Sequence, residues 1–72
     1  GYSDISIQTP ERTGIVIELK YADDGNLEKA CSEALMQIEE KKYAEGLRRR
    51  GMKKIMKYGI AFWEKECMVA MV

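Results

Sequence analysis

The sequence predicts an α/β domain of the α+β type, in which a mixed β-sheet carries a helix on one face. Three observations lead to this fold class. Two strand-like segments flank a short turn near the start, a long apolar stripe at helical spacing follows, and two more strand-like segments close the chain. In the order strand, strand, helix, strand, strand, a right-handed crossover through the helix makes the second and third strands parallel. One helical layer on one sheet is a common solution for burying both apolar surfaces.

The first two strands are predicted to form a hairpin. Residues 2–8 alternate polar and apolar side chains, with Ile5 and Ile7 on one face. Residues 9–14 contain the Pro and Gly that are typical of a turn. Residues 15–21 are rich in bulky aliphatics and form the second strand. Because the link is so short, the two strands should pair antiparallel.

The helical region is predicted to be interrupted. Asn26 is the expected N-cap of the first helix. The apolar stripe behind it consists of Leu27, Ala30, Cys31, Ala34, Leu35 and Ile38. Lys41 and Lys42 occupy the next positions of the stripe, which predicts a break there. A second, short helix then runs from Tyr43 and ends at Gly51.

The last part of the chain returns to strand character. Residues 52–62 form the third predicted strand, 63–66 a turn, and 67–72 the fourth strand. The five methionines are expected to fill gaps in the core.

Composition excludes several classes of protein. Twelve basic residues balance twelve acidic ones, so bulk charge does not indicate nucleic-acid binding, although local patches remain possible. With two cysteines and no histidine, the chain lacks the ligands of a usual structural zinc site. A disulfide framework would normally have more cysteines at this length, so a reducing, cytoplasmic setting is expected. No apolar run reaches the length of about 20 residues that crosses a membrane. Because histidine is absent and cysteines are few, a metal ion would have oxygen ligands, which suits magnesium, manganese or calcium.

Two acids and one base are predicted to lie on the same face of the hairpin. Alternation places Glu18 and Lys20 on the face of Val16. If the hairpin pairs about Glu11, Asp4 lies opposite Glu18, and directly opposed residues point to the same side. Two neighbouring carboxylates repel each other unless a cation lies between them, and a hard divalent metal meets that need. Taken alone, Glu-x-Lys on a strand is more often a solvated cross-strand charge pair.

This pattern resembles the signature of the PD-(D/E)XK nuclease superfamily. The resemblance rests on Asp4, an interval of 13 residues, and Glu18-Leu19-Lys20 at a strand end. GYSD is similar to the Gly-Arg-x-Asp opening of that motif, ALMQIEEKKYAEGL to the helix after it, and KYGIAFWEKECMV to the next two strands. The most similar branch is the nuclease-like domain found C-terminal to AAA-ATPase-like domains in prokaryotic proteins.

The resemblance implies a restriction-endonuclease-like core with a Mg²⁺ or Mn²⁺ site. Asp4 and Glu18 become metal ligands, the carbonyl of Leu19 an additional ligand, and Lys20 the residue that positions the attacking water. Gln37 completes the implied catalytic set. Tyr43 is a weaker supporting residue, because its spacing from Gln37 differs from the Gln-x-x-x-Tyr form.

The resemblance also sets the expected organisation. Residues 1–72 would be a single nuclease-like domain, truncated at its N-terminus, since the helix and strand that precede the motif are not in the sequence. Tyr2 stands where the branch usually has arginine. A domain this small, with an uncovered sheet face and edge, is expected to form a homodimer by edge pairing or by exchange of its terminal strand.

Two functions remain open at this point. The chain is either a metal-dependent nuclease, acting on DNA, or a catalytically silent nuclease-fold module that binds nucleic acid or a partner and serves an attached ATPase. A basic cluster bears on both: Arg48, Arg49, Arg50 and Lys53. These residues could contact phosphates or could simply complement the dipole at a helix C-terminus.

Overall fold

The computed structural model describes residues 2–72, with side-chain environments from residue 4 onward. The elements are β1 (Tyr2–Gln8), β2 (Thr13–Tyr21), α1 (Leu27–Glu40), α2 (Tyr43–Arg49), β3 (Lys54–Trp63) and β4 (Glu66–Met71). They form one four-stranded sheet in the order β1-β2-β3-β4. The predicted mixed sheet and α+β class are confirmed. Gly1 and the side chain of Tyr2, both part of the opening motif, lie outside the described residues.

The β1–β2 hairpin has the predicted register. Asp4 is the direct partner of Glu18 in the antiparallel ladder. The turn is closed by the backbone N–H of Thr9, which donates to the carbonyl of Thr13 at 3.0 Å, while the Thr13 N–H donates to Thr9 Oγ1 at 3.1 Å. Arg12 takes a left-handed conformation with φ 66°. Both Thr9 bonds hold the two strands at one register, so the carboxyl pair is set by local turn chemistry.

The crossover from β2 to β3 is parallel and runs through both helices. Asn26 caps α1, and its side chain accepts from the N–H of Lys29 at 3.1 Å. The expected break also lies where the lysines interrupt the stripe. Lys41 is the C-cap of α1, and Lys42 has a left-handed φ of 56°, after which α2 begins. None of the helices within residues 2–72 is long and apolar enough to span a bilayer.

Helix α1 packs tightly on the sheet because β3 has a glycine under it. A Cβ at Gly59 would lie 2.7 Å from the carbonyl oxygen of Cys31. Gly59 is the β3 partner of Glu18, so the close approach of the helix occurs beside that acid. Around it lie the buried side chains of two clusters: Val16, Ile38 and Leu47, and Ala22, Ala30, Cys31 and Ala61. The tight contact between α1 and β3 excludes water from Glu18 on the neighbouring strand β2.

The opposite face of the sheet is open. Register places Ile5 beside Ile17, and Ile60 beside Val69, on this side. Large apolar side chains that remain exposed there are Ile5, Ile7, Tyr21, Phe62, Val69 and Met71. The expectation that all methionines fill the core is wrong: Met36, Met68 and Met71 are exposed. The physical reason is that the helices described here cover only one side of the sheet, so the outer side of α1, the edge strand β4 and the second sheet face stay in water.

Candidate active site

The centre of the candidate site is a pair of carboxylates on the helix-covered face of the sheet. Asp4 lies on the edge strand β1, and its side chain is 41 % exposed. Glu18 lies on the inner strand β2 and is completely buried. Their pairing confirms the predicted register. The pair therefore consists of one solvent-accessible acid, Asp4, and one buried acid, Glu18.

A lysine side chain of the protein itself lies between these two carboxylates. The ammonium of Lys41 lies 3.3 Å from Asp4 Oδ2 and 3.5 Å from Glu18 Oε2. Sequence reasoning treated this residue only as a helix break. Its helical position gave a usable signal, because Lys41 follows Ile38 by three residues and Ala34 by seven, which puts it on the buried face of α1. A lysine on that face needs an anionic partner.

Tyr43 joins the same cluster from the start of α2. Its hydroxyl donates a hydrogen bond to Asp4 Oδ2. The left-handed residue Lys42 turns the chain between the two helices and so brings both Lys41 and Tyr43 to one carboxylate. Lys41 stands four residues after Gln37, at the position that the Gln-x-x-x-Tyr form gives to tyrosine. The tyrosine hydroxyl reaches Asp4 from a position two residues later.

The two acids have opposite electrostatic environments. The hydrogen bond from Tyr43 and the one from Lys41 hold the pKa of Asp4 below its usual range. Burial raises the pKa of Glu18, and the attraction of Lys41 only partly offsets this effect. Burial also lowers the pKa of Lys41, but the bond to Asp4 and the charge of Glu18 outweigh it, so the pKa is raised overall. The hydrogen bond to Asp4 raises the pKa of Tyr43.

Among the residues whose side chains the structure describes, two buried side-chain oxygens have no hydrogen-bond partner. They are Glu18 Oε1 and Gln37 Oε1. The amide nitrogen of Gln37 donates to Glu40 Oε2 at 3.3 Å, which leaves its oxygen unpaired. Buried acceptors without a partner are rare and call for a ligand or an ordered water.

The oxygens present fit a hard divalent cation. Magnesium is commonly bound by one or two carboxylates, with waters and substrate phosphates filling its other positions. Asp4 and Glu18 meet that requirement, and the unpaired oxygen of Glu18 is a free ligand atom. Within the described part of the chain, no group of three or more His, Cys, Asp or Glu side chains is placed to hold a metal. A metal here would rely on the two carboxylates and on nonprotein oxygens.

Lys20 lies on the same face of β2 as Glu18, as predicted. Its ammonium pairs with Glu33 Oε1 of α1 at 3.1 Å, and its side chain is mostly buried. The pair lines a cleft of about 250 Å³ at the carboxyl end of β2. Lys20 therefore shares a strand and a face with Glu18, but its ammonium is directed to Glu33 of α1, in a cleft that neither Asp4 nor Glu18 lines.

Comparison with known proteins decides the family. A sequence profile of the PD-(D/E)XK nuclease superfamily matches residues 1–71. The chain belongs to the PD-(D/E)XK nuclease superfamily. No curated protein and no solved structure gives a significant match to it.

The matched range covers both strands that carry the predicted site acids. PD-(D/E)XK nucleases generally use divalent metals and act on nucleic acids. The match includes the acid of β1 and the Glu18-Leu19-Lys20 segment of β2. Leu19 lies between Ser3 of β1 and Ile60 of β3 in the ladder. The sheet thus brings together Asp4 and Glu18, which are separated by 13 residues in sequence.

The predicted basic cluster divides into two parts in this PD-(D/E)XK fold. Arg48, Arg49, Arg50 and Lys53 are all exposed. Arg48 and Arg49 occupy the last turn of α2, where they complement its dipole. Arg50 lines a cleft of about 320 Å³ that also contains Lys41, Lys42 and Tyr43. This second cleft adjoins the carboxylate pair through Lys41 and Tyr43, so Arg50 lines a cleft next to the site.

Proposed function

We propose that this chain is a metal-dependent nuclease domain that hydrolyses phosphodiester bonds, with DNA as its substrate. The observation that carries the proposal is the direct pairing of Asp4 with the buried Glu18, within the superfamily's residue pattern. A buried acid with an unpaired oxygen is unfavourable for folding and is typical of a ligand site.

Asp4 and Glu18 are the proposed ligands of Mg²⁺ or Mn²⁺, with the carbonyl of Leu19 as a further ligand. When bound, such a metal supplies positive charge that stabilises the phosphate oxygens during in-line attack and helps to ionise water. The protein contributes a rigid pair of oxygens, because Asp4 and Glu18 are fixed by adjacent strands rather than by loops.

The other site residues orient water and the acids. Lys20 is proposed to hold the attacking water, since it lies on the same face of β2 as Glu18, two residues further along the strand. This role requires its ammonium to exchange the contact with Glu33 for the water. Gln37 offers an unpaired amide oxygen on the helix that covers the site. The Tyr43 hydroxyl restricts Asp4 through its hydrogen bond to Oδ2, while the Asp4 side chain remains partly exposed.

Basic side chains supply the proposed contacts to the nucleic-acid backbone. The cleft beside the carboxylates has Lys42 and Arg50 on its surface, and Arg48, Arg49 and Lys53 lie exposed nearby in sequence. Phosphate contacts of this kind depend on charge and not on base identity. We further propose that the domain acts in the cytoplasm alongside an AAA-ATPase-like domain, in keeping with the branch that the sequence resembles.

Magnesium-dependent cleavage of plasmid and linear DNA tests the proposal. Wild-type protein should cut in millimolar Mg²⁺, and chelation should stop the reaction. Lys20→Ala should lose cleavage by at least about a hundredfold, in the range seen for groups that assist proton transfer. Asp4→Asn, which removes a proposed metal ligand, should also lose cleavage. Lys65→Ala removes an exposed lysine from the β3–β4 turn and should retain activity. Cleavage that persists unchanged in Lys20→Ala would contradict the assigned site.

A second candidate is a catalytically silent module that binds nucleic acid or a partner protein. The lysine bridge between the carboxylates favours it, because a protein cation already neutralises the acids. In that case DNA would be bound and remain intact with Mg²⁺, and Arg50→Ala would weaken binding while Asp4→Asn would not. DNA cleavage that depends on Asp4 would exclude this alternative.

A further inference from the structure

The contact of Lys41 with both acids sets up a conflict with a metal. Its ammonium lies within 3.5 Å of an oxygen of each carboxylate. These oxygens belong to the side chains that the proposed function assigns to Mg²⁺ or Mn²⁺. A divalent ion on the same two carboxylates, even through the unpaired Glu18 Oε1, would place three positive charges in one small, partly buried region, and like charges repel strongly where water is excluded.

We propose that Lys41 is a built-in counter-ion that competes with the divalent metal for the Asp4–Glu18 pair and must leave it for the metal to bind. This inference rests on the proposed function, because it takes the two acids to be the metal ligands. Without metal, Lys41 reduces the repulsion between two carboxylates that directly oppose each other. The pair is thereby kept together before the metal arrives.

Lys41 is suited to this exchange by its position in the fold. Its backbone is fixed, because its N–H donates to the carbonyl of Gln37 at 3.0 Å at the end of α1. Its side chain is partly exposed, at 38 %, and also lines the cleft that contains Lys42 and Arg50. The ammonium can therefore leave the acids by side-chain rotation alone, while the helix stays in place.

The neighbouring lysine provides a matched control. Lys42 is one residue away and exposed, and it makes no ion pair with a described residue. Replacing either lysine by methionine changes the net charge equally, so a general field effect on metal binding would be the same in both variants. Only removal of Lys41 takes away the competing contact.

The experiment is calorimetric titration of Mn²⁺ into the metal-free protein, without nucleic acid. Lys41→Met should bind Mn²⁺ about tenfold more tightly than wild type, within the 5–150-fold range of typical site–site coupling. Lys42→Met should stay within about twofold of wild type, and Lys41→Arg, which keeps the charge, should bind no more tightly than wild type. The affinity gained in Lys41→Met should be lost again when Asp4→Asn is added.

The possible results separate this proposal from the one it rests on. If Lys41→Met binds no more tightly than Lys42→Met, competition is disproved, while Mn²⁺ binding that Asp4→Asn abolishes keeps the metal site. If neither wild type nor Lys41→Met binds Mn²⁺, both the metal site and the competition are wrong.

Removing Lys41 leaves Glu18 buried without a counter-charge, which can prevent folding. A measurement on the wild type covers that case. In an NMR titration with diamagnetic Mg²⁺, the ¹³Cε resonance of Lys41 should shift with the same midpoint as the carboxyl resonance of Glu18, and that of Lys42 should stay in place. A Glu18 resonance that moves while Lys41 does not would overturn the proposal.

Discussion

Asp4 and Glu18 oppose each other across one strand pair and share one lysine, yet the pKa values of their carboxyls shift in opposite directions. The difference comes from burial. Asp4 stands at the sheet edge and accepts hydrogen bonds from Tyr43 and Lys41, which favour its charged form. Glu18 is sealed under α1, where loss of hydration disfavours the charge. The site thus contains one acid that stabilises the fold when ionised and one that destabilises it.

Glu18→Gln should stabilise the metal-free protein at neutral pH. The folded-state pKa of Glu18 is raised above the ordinary glutamate value of about 4.3, so the folded protein binds this proton more tightly than the unfolded chain. The resulting stability is complete below about pH 4 and is lost as pH rises through the folded-state pKa. Thermal melts in EDTA should therefore give equal midpoints for wild type and variant near pH 4 and a higher midpoint for the variant at pH 7.

Glu11→Gln is the control, because Glu11 is exposed in the hairpin turn. Its midpoint should follow that of wild type across the pH range. A Glu18→Gln midpoint below wild type at pH 7 would show that the bond to Lys41 outweighs the burial of the charge.

Metal should stabilise the folded protein. A ligand that binds only the native state at ten times its dissociation constant contributes about 1.4 kcal/mol. In a domain of this size that corresponds to a rise in melting temperature of roughly 6–11 °C, at about 4–8 °C per kcal/mol. Differential scanning calorimetry with increasing Mg²⁺ or Mn²⁺ should show the increase, and Asp4→Asn should abolish it.

The control for this metal effect is Asp23→Asn, an exposed aspartate after β2. Its melting temperature should rise with metal as in wild type. An unchanged melt of the wild type across millimolar metal would contradict a preformed metal site.

Gly59→Ala should destabilise the fold. The added Cβ would lie 2.7 Å from the Cys31 carbonyl oxygen and 3.0 Å from the Leu35 side chain, so α1 has to move off the sheet. Overpacking of this kind costs about 1–3 kcal/mol. Urea denaturation should measure the loss.

Gly46→Ala is the matched control for that substitution. Apart from its own helix backbone and chain neighbours, nothing in the described part of the chain lies within 4 Å of a Cβ at Gly46, which is in the interior of α2. Alanine there should stabilise the protein by about 0.5–1 kcal/mol, since glycine is the poorer helix former. Equal effects of the two alanines would show that Gly59 is not needed for the close approach of α1.

The protein should form a homodimer. The open sheet face exposes Ile5, Ile7, Phe62, Val69 and Met71. Apolar surface of this kind is seldom left in water by a monomer. Light scattering over a concentration series should give a mass above the 8.3 kDa of one chain. Val69→Lys should shift the protein towards the monomer, whereas Ser32→Lys, on the exposed side of α1, should not. A mass of one chain at every concentration would contradict the prediction.

Local patterns were sufficient to predict most of the architecture. Alternation in residues 2–8 and 15–21, with a Pro–Gly turn between them, implied a register that pairs Asp4 with Glu18, and the structure has that pair. The role of Asn26 as the N-cap of α1 could also be predicted, because an N-cap side chain bonds to a backbone group only three residues away. In each case the deciding contact is short-range or set by a tight turn.

The site could be predicted only in part. Lys41 reaches Asp4 and Glu18 across intervals of 37 and 23 residues, and Tyr43 reaches Asp4 across 39. The apolar periodicity of α1 does not predict which strand residues lie beneath its last turn. The helix pattern showed that Lys41 faced inward, but not which anion it would meet.

What the sequence alone determined is therefore the order of elements, the hairpin register and the presence of two acids on one face of the sheet. The tertiary structure decided which face the helices cover and which cation lies between the acids. The covered face is that of Val16 and Glu18, because Gly59 admits α1 on that side. The physical reason is that periodicity assigns side chains to faces within one element, whereas docking of α1 against a distant glycine sets burial, charge pairing and the pKa values of the site.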